Sequence, residues 1–243
     1  MHRDLETNLR RVRARIATAA GRSARPVTLV AVTKSVPASM AAALVRLGQT
    51  ELAENRADAL ESKRRALAAL GLAPRWHFLG HVQTNKARHV VEHADVIQSV
   101  DSVRLLDAIE RHATALGRTV DVFLQLKIAP GAARTGLDES ELCELVSRAR
   151  TARAVRLRGL MTLGPAPDPE RPDESRAASR AVFEAVAACA RALAADRELA
   201  SAFEGGRVLT SMGMSDDFEL AIEAGSDLVR IGGALFESGE EAA

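Results

Sequence analysis

The feature that most restricts how this chain can fold is a repeated alternation. Eight short apolar runs, Val27–Thr33, Glu51–Ala53, Trp76–Leu79, Val96–Val100, Val120–Leu126, Leu157–Met161, Val208–Thr210 and Leu228–Ile231, are separated by stretches of helical periodicity. Runs so short and so rich in branched apolar residues read as strands buried on both faces, the habit of parallel sheets. The helical stretches are Ala38–Leu47, Ala57–Leu70, Asn85–Glu92, Ser102–Leu116, Glu139–Thr151, Ser175–Ala195 and Asp216–Ala224. Asp101 and Ser215 suit helix N-caps, Asp138 with Glu141 forms a capping-box pattern, and Gly48, Gly117 and Gly225 suit helix ends. A doubly wound open sheet shares this alternation. The count of eight, and the lack of a Gly-x-Gly-x-x-Gly turn after the first strand, favour a (β/α)8 TIM barrel. An extra N-terminal helix, Asp4–Ala20, precedes it, with Leu5, Leu9, Val12 and Ile16 at helical spacing. Residues 1–243 read as one domain of α/β class.

Composition excludes several function classes. A formal net charge of +1 argues against nucleic acid or an anionic membrane as partner. No apolar run approaches the ~18 residues that would span a bilayer, and the opening residues lack a secretory apolar core, so a cytoplasmic protein is expected. Cys143 and Cys189 fall in Ala-rich helical patterns and read as small buried filler. None of the 243 residues is tyrosine, so chemistry that needs a phenol from this chain is excluded.

Active residues of such barrels stand at the C-terminal ends of the strands. Lys34 ends the first apolar run. Desolvated there, its amine would be a nucleophile able to form a Schiff base; an ordinary lysine in water is the plainer alternative. Glu54 and Asn55 follow the second strand, and Gly80, His81, Gln83, Asn85 and Lys86 the third. Ser99 ends the fourth strand, Lys127 follows the fifth, and Met161 and Thr162 end the sixth. The loops after the last two strands carry Ser211-Met-Gly-Met-Ser215 and Gly232-Gly233. Barrels often hold phosphate in these loops, where glycine admits close backbone approach and serine adds a donor; Ser211, Gly213, Gly232 and Gly233 fit. Arg230 should point into the barrel mouth, toward a cofactor's ring nitrogen or into an ion pair with a carboxylate such as Glu54. The proline-rich loop Gly164–Pro172 reads as a lid or a plain surface excursion.

Two features read as surface. His89-Val-Val-Glu-His93 matches H-x-x-E-H, but the pattern is short, no third ligand announces itself, and no metal site is expected. Lys63-Arg64-Arg65 reads as a charged helix face.

Taken together, Ala31-Val-Thr-Lys34, Glu54-Asn55, His77-Phe-Leu-Gly-His-Val-Gln-Thr-Asn-Lys86, Arg158-Gly-Leu-Met161, Ser211–Ser215 and Arg230-Ile-Gly232 resemble the pyridoxal phosphate homeostasis proteins, single-barrel relatives of the alanine racemase N-terminal domain. The resemblance implies pyridoxal 5′-phosphate as cofactor, bound to Lys34 as a Schiff base. It implies phosphate contacts from Ser211, Gly232 and Gly233, and Arg230 against the pyridine nitrogen. Asn55 would lie near the ring, with His77, Met214 and Ser226 in its surroundings. The chain departs from the family at Val36, where a second lysine is common, at Ala53, at Arg134 in the fifth-strand loop, and at Glu237 in place of a glycine.

With no tyrosine in the chain and Arg230 disfavouring a ring proton, the first reading is a non-catalytic carrier of the cofactor, with pyridoxal-dependent apo-enzymes as candidate recipients, and a monomer is expected. A slow one-base racemase assisted by His81 or Lys127 is the alternative, since two-base racemases of this barrel type use a tyrosine from a second domain. A Schiff-base aldolase using Lys34 directly is a third reading.

Overall fold

A computed structural model describes residues 2–21, 26–128, 136, 137 and 139–237. Eight parallel strands close into a barrel in the order of the sequence: β1 Thr28–Val32, β2 Glu51–Glu54, β3 Arg75–Phe78, β4 Val96–Val100, β5 Val120–Leu126, β6 Val155–Thr162, β7 Leu209–Ser211 and β8 Leu228–Ile231. The ring closes where β8 pairs with β1, Val30 beside Arg230 and Ala31 beside Ile231. The expected (β/α)8 architecture is the observed one.

The helices are α1 His2–Ala20, α2 Ala38–Arg46, α3 Ala57–Ala68, α4 Ala87–His93, α5 Val103–Ala115, α6 Glu139–Ala149, α7 Pro172–Ala195, α8 Arg197–Ala200, α9 Phe218–Ala224 and α10 Gly233–Phe236. The last is only four residues long, too short to cover the outside of β8. α1 takes that place, packing on α2, α9 and α10. Its stripe Leu5, Leu9, Val12 and Ile16 is buried, Arg15 lies over the Phe218 ring at 4.6 Å, and the Asn8 amide donates to the Glu237 carbonyl at 2.9 Å. The N-terminal helix is therefore a working member of the helical ring.

Apolar burial divides into two layers. The larger joins the outer faces of the strands to the helices, with Trp76, Phe183 and Phe218 among its largest members. The smaller fills the barrel with Val30, Val32, Ala53, Val96, Phe123, Met161 and Leu228. Adjacent strand residues point to opposite faces, so each strand feeds both layers.

Several local expectations are corrected. Ser102, not Asp101, caps α5, its hydroxyl accepting from the Leu105 N–H; a serine one residue nearer the helix has the better reach. Asp217 rather than Ser215 occupies the position before α9. α7 starts at Pro172, three residues early, because proline's fixed φ suits the first helical position. Thr84–Lys86 form a 3-10 turn ahead of α4. Gly225 ends α9 at φ +118, as its position suggested. Cys143 is exposed rather than buried. Asp138 and Arg134 lie outside the described residues. Among those described, no helix is long and apolar enough to cross a membrane.

Candidate functional site

The C-terminal rim gathers most of the polar residues singled out above. Lys34 stands two residues beyond β1 and is exposed, and no described residue bonds its amine. The desolvation anticipated for it is absent here, because the loop carries it past the packed barrel. The residue before it is firmly anchored. The Thr33 N–H donates to the Ala53 carbonyl at 2.9 Å, and the Thr33 hydroxyl to Glu54 at 2.5 Å. Lys63, from α3, reaches inward to donate to the Thr33 carbonyl at 2.6 Å and to Glu54 Oε1 at 2.5 Å. Lys63 is therefore no surface residue: it is 8% exposed and serves as counter-ion to a fully buried carboxylate. A buried glutamate needs such a partner. That pairing also removes Glu54 as a partner for Arg230.

Arg230 points into the barrel, as its strand position suggested. One guanidinium nitrogen donates to the Ser211 hydroxyl and the other to the Thr162 carbonyl, each at 2.8 Å. Burial lowers its pKa to about 10, with Asp217 opposing the shift; the group stays charged at neutral pH. Two bonds leave further N–H donors for a ligand at the mouth.

The last two loops meet beside Lys34. A Cβ on Gly232 would lie 3.2 Å from the carbonyl of Val32, so the turn before α10 is pressed against the end of β1. Gly213 has φ +95, and a Cβ there would come within 2.7 Å of Ala221; only glycine meets both conditions. The Ser215 hydroxyl lies 3.5 Å from the Ala234 N–H. Glycines pressed to the backbone, a hydroxyl and the first N–H groups of a helix form a cradle with the chemistry of a phosphate site. Within it, the carboxylate of Glu237 folds back toward Gly233, 2.8 Å from where a Cβ would stand.

Other candidates are placed differently. Ser211 is fully buried. Its hydroxyl accepts from Arg230 and donates to Gln98 at 2.7 Å, so it has no hydrogen left for a phosphate. Ser215, four residues on, is the serine that reaches the cradle; the shared motif named both, and only the backbone path tells them apart. His77 lies inside the barrel, Nδ1 2.8 Å from the Gln98 amide nitrogen and Nε2 2.6 Å from Glu51. Burial lowers its pKa. Ser226 is buried and bonds the backbone at Met212 and Leu228, tying β7 to β8. Met214 and Asn55 are exposed at the rim. Asn55 opens a cleft of about 650 Å³ with Phe78, His81, Lys86 and His89. This cleft flanks the mouth and includes neither Lys34 nor Arg230. His81 sits 3.5 Å from Asp101.

Asp217 was not foreseen. Its carboxylate accepts from the Met214 N–H at 2.7 Å and would touch a Cβ on Gly164, at 2.7 Å. Burial raises its pKa, opposed by that N–H and by the charge of Arg230. The doubled Asp216-Asp217 after the motif was the available signal, but either residue could have turned inward.

The chain resembles known proteins over nearly its whole length. Residues 7–238 match the family model for the alanine racemase N-terminal domain. A pyridoxal phosphate homeostasis protein of Escherichia coli K12 is 35% identical, with 96% of each chain covered. One from Pseudomonas aeruginosa is 35% identical, covering 94% of this chain and 93% of its own. The solved structure of PipY from Synechococcus elongatus PCC7942, with PLP bound, superposes with a TM-score of 0.81 at 32% identity, covering 96% of this chain and all of that one. Alanine racemase from Streptomyces lavendulae, 23% identical, shares the fold at a TM-score of 0.69 over 57% of its length. On its barrel, its rim and these likenesses, the chain belongs to the pyridoxal phosphate homeostasis protein family.

Proposed function

We propose that this chain binds pyridoxal 5′-phosphate covalently through Lys34 and holds it as a carrier, without substantial catalysis of its own. The observation that carries the reading is an exposed amine two residues past the end of β1, the strand end against which the Gly232 turn is pressed, with a buried guanidinium on the neighbouring strand β8. The residues fit the group: the Gly232–Gly233 turn, the Ser215 hydroxyl and the first N–H groups of α10 converge beyond the end of β1, and Gly213 lets its loop pack against α9 behind them. PipY, a relative of equal length, was solved with PLP bound.

When bound, pyridoxal phosphate supplies an electrophilic aldehyde and an electron-withdrawing ring. Lys34 supplies the nitrogen that captures the aldehyde. Ser215 and the backbone N–H groups around Gly233 hold the phosphate, with Gly213 and Gly232 keeping the approach open. Arg230, held charged by Ser211 and Thr162, would disfavour a proton on the ring nitrogen if the ring lay against it, since two positive charges would meet. An unprotonated ring is a weaker electron sink, and this favours storage over turnover. No tyrosine of this chain stands opposite Lys34. Asn55 and Met214 border the ring side of the mouth, while His77, Ser211 and Ser226 act from behind it. In this reading the protein works in the cytoplasm as a monomer of one domain and releases its cargo to apo-enzymes.

The visible spectrum tests it. Protein incubated with pyridoxal phosphate and desalted should keep the near-visible band of lysine-bound pyridoxal, and Lys34→Ala should lose it. A band unchanged in that variant overturns the assignment. Exchange of an amino acid's α-proton in deuterated water at racemase-like rates would overturn the non-catalytic part.

A further inference from the structure

On the outer side of the barrel, α3 and α4 bring together three side chains that the cofactor site does not use. His89 and His93 are four residues apart on α4 and so share one face. Glu61, on α3, projects between them. Its Oε2 lies 3.4 Å from His89 Nε2 and its Oε1 3.8 Å from His93 Nε2. All three ligand atoms fall within 4.8 Å of one another. The third ligand that the H-x-x-E-H stretch lacked in sequence thus comes from the neighbouring helix, and the glutamate inside the motif is not the one that converges.

We propose that Glu61, His89 and His93 form a binding site for a borderline divalent cation such as Zn2+, with water completing the shell.

The spacing carries the argument. Zinc bonds of about 2.0–2.1 Å to nitrogen and oxygen in a tetrahedron put ligand atoms roughly 3.3 Å apart. The 3.4 Å pair of His89 Nε2 and Glu61 Oε2 already has this edge, and His93, whose ligand atom lies within 4.8 Å of the other two, reaches it by a side-chain adjustment. Both separations from Glu61, 3.4 and 3.8 Å, exceed the about 2.7–3.2 Å of a good N–H···O bond, so the groups converge without satisfying one another. Arg65 holds Glu61 Oε1 at 2.7 Å, which orients the carboxylate with Oε2 toward His89. The His93 side chain is 13% exposed. Two imidazoles and one carboxylate suit Zn2+, Ni2+ or Cu2+ better than Mg2+ or Ca2+, which prefer oxygen shells. A bound ion would staple α3 to α4, the helices that flank the cleft holding Asn55 and His81.

The test is calorimetric titration of ZnCl2 into the metal-stripped full chain without pyridoxal phosphate, so that its outcome is independent of the cofactor reading. One ion should bind per chain. His89→Ala and His93→Ala should each weaken binding by roughly 10–100-fold or more, the range seen when even outer partners of a metal are lost. Glu61→Gln should weaken it too, and His112→Ala should not. Zinc should raise the melting temperature of the wild type but not of His93→Ala, with circular dichroism showing that the variant is folded. Three results would overturn the site: no saturable binding up to millimolar zinc, binding unchanged in both histidine variants, or binding abolished by Cys143→Ser.

Discussion

Arg230 at the C-terminal mouth and Glu51 at the opposite end of the barrel are joined by four hydrogen bonds that all run in one direction. Arg230 donates to Ser211, Ser211 to Gln98, Gln98 to His77 and His77 to Glu51. The polarity follows from the orientation of the Gln98 amide. A guanidinium only donates and a carboxylate only accepts, and with the Gln98 oxygen turned to Ser211 and its NH2 to His77 each intervening group accepts from above and donates below. His77 is therefore the neutral tautomer with its proton on Nε2. The chain of bonds holds the Arg230 guanidinium in a fixed pose, and it leaves His77 and Ser211, both at home in the family motifs, bonded within the barrel.

Ser211 and Ser215 should separate on substitution. Ser211→Ala leaves a buried guanidinium N–H and the Gln98 carbonyl without partners, and should cost about 2–6 kcal/mol at roughly 1–3 kcal/mol per orphaned group. Ser215→Ala should change stability little and weaken retention of pyridoxal phosphate. Urea melts and equilibrium dialysis read the two effects; the reverse pattern would return the phosphate contact to Ser211.

Acid should destabilise the protein through His77. Burial lowers its folded pKa, so below the unfolded value of about 6.5 the unfolded chain binds the extra proton and the folded chain resists it. Stability from this residue is thus present above about pH 6.5 and declines as pH falls below it, by at most about 1.4 kcal/mol per pH unit. His77→Gln, which can still accept from Gln98 and donate to Glu51, should flatten the slope of urea midpoints between pH 7 and 5.

Removing the counter-ion of Glu54 should be costly. Lys63→Met leaves a buried carboxylate whose Oε2 already lacks a partner, and a loss of about 3–5 kcal/mol is expected. The double variant Glu54→Leu/Lys63→Met should lose less than Lys63→Met alone. Because Lys63 also holds the carbonyl before Lys34, the single variant should capture pyridoxal phosphate more slowly in stopped-flow absorbance.

Glu237 places a negative charge at the edge of the phosphate cradle. Glu237→Gln should tighten pyridoxal phosphate binding by about two- to five-fold, the scale of an exposed charge interaction of up to about 1 kcal/mol. The gain should shrink in high salt. Equal affinity of the two proteins at low ionic strength would show that the carboxylate swings clear of the ligand.

The architecture could be read from the sequence because periodicity is local. Each strand announced itself by a few consecutive apolar residues, and α1 by its four-residue stripe. Strand ends also dictate where Lys34, Asn55, Arg230 and the two glycine loops emerge, so their place at the C-terminal rim is local information too. Failures came where one of two chemically equal neighbours had to be chosen, as with Asp101 and Ser102 or Ser211 and Ser215. They also came where long side chains crossed between elements, as Lys63 does.

The sequence by itself determined the barrel, the order of its strands and the rim on which chemistry must sit, because short-range patterns of burial suffice for these. Tertiary structure alone decided which polar residues meet: Lys63 with Glu54, Arg230 with Ser211, Glu61 with His89 and His93. Partners of that kind lie on different elements, and whether they touch depends on how neighbouring helices and strands are rotated against one another, an outcome of packing the whole core.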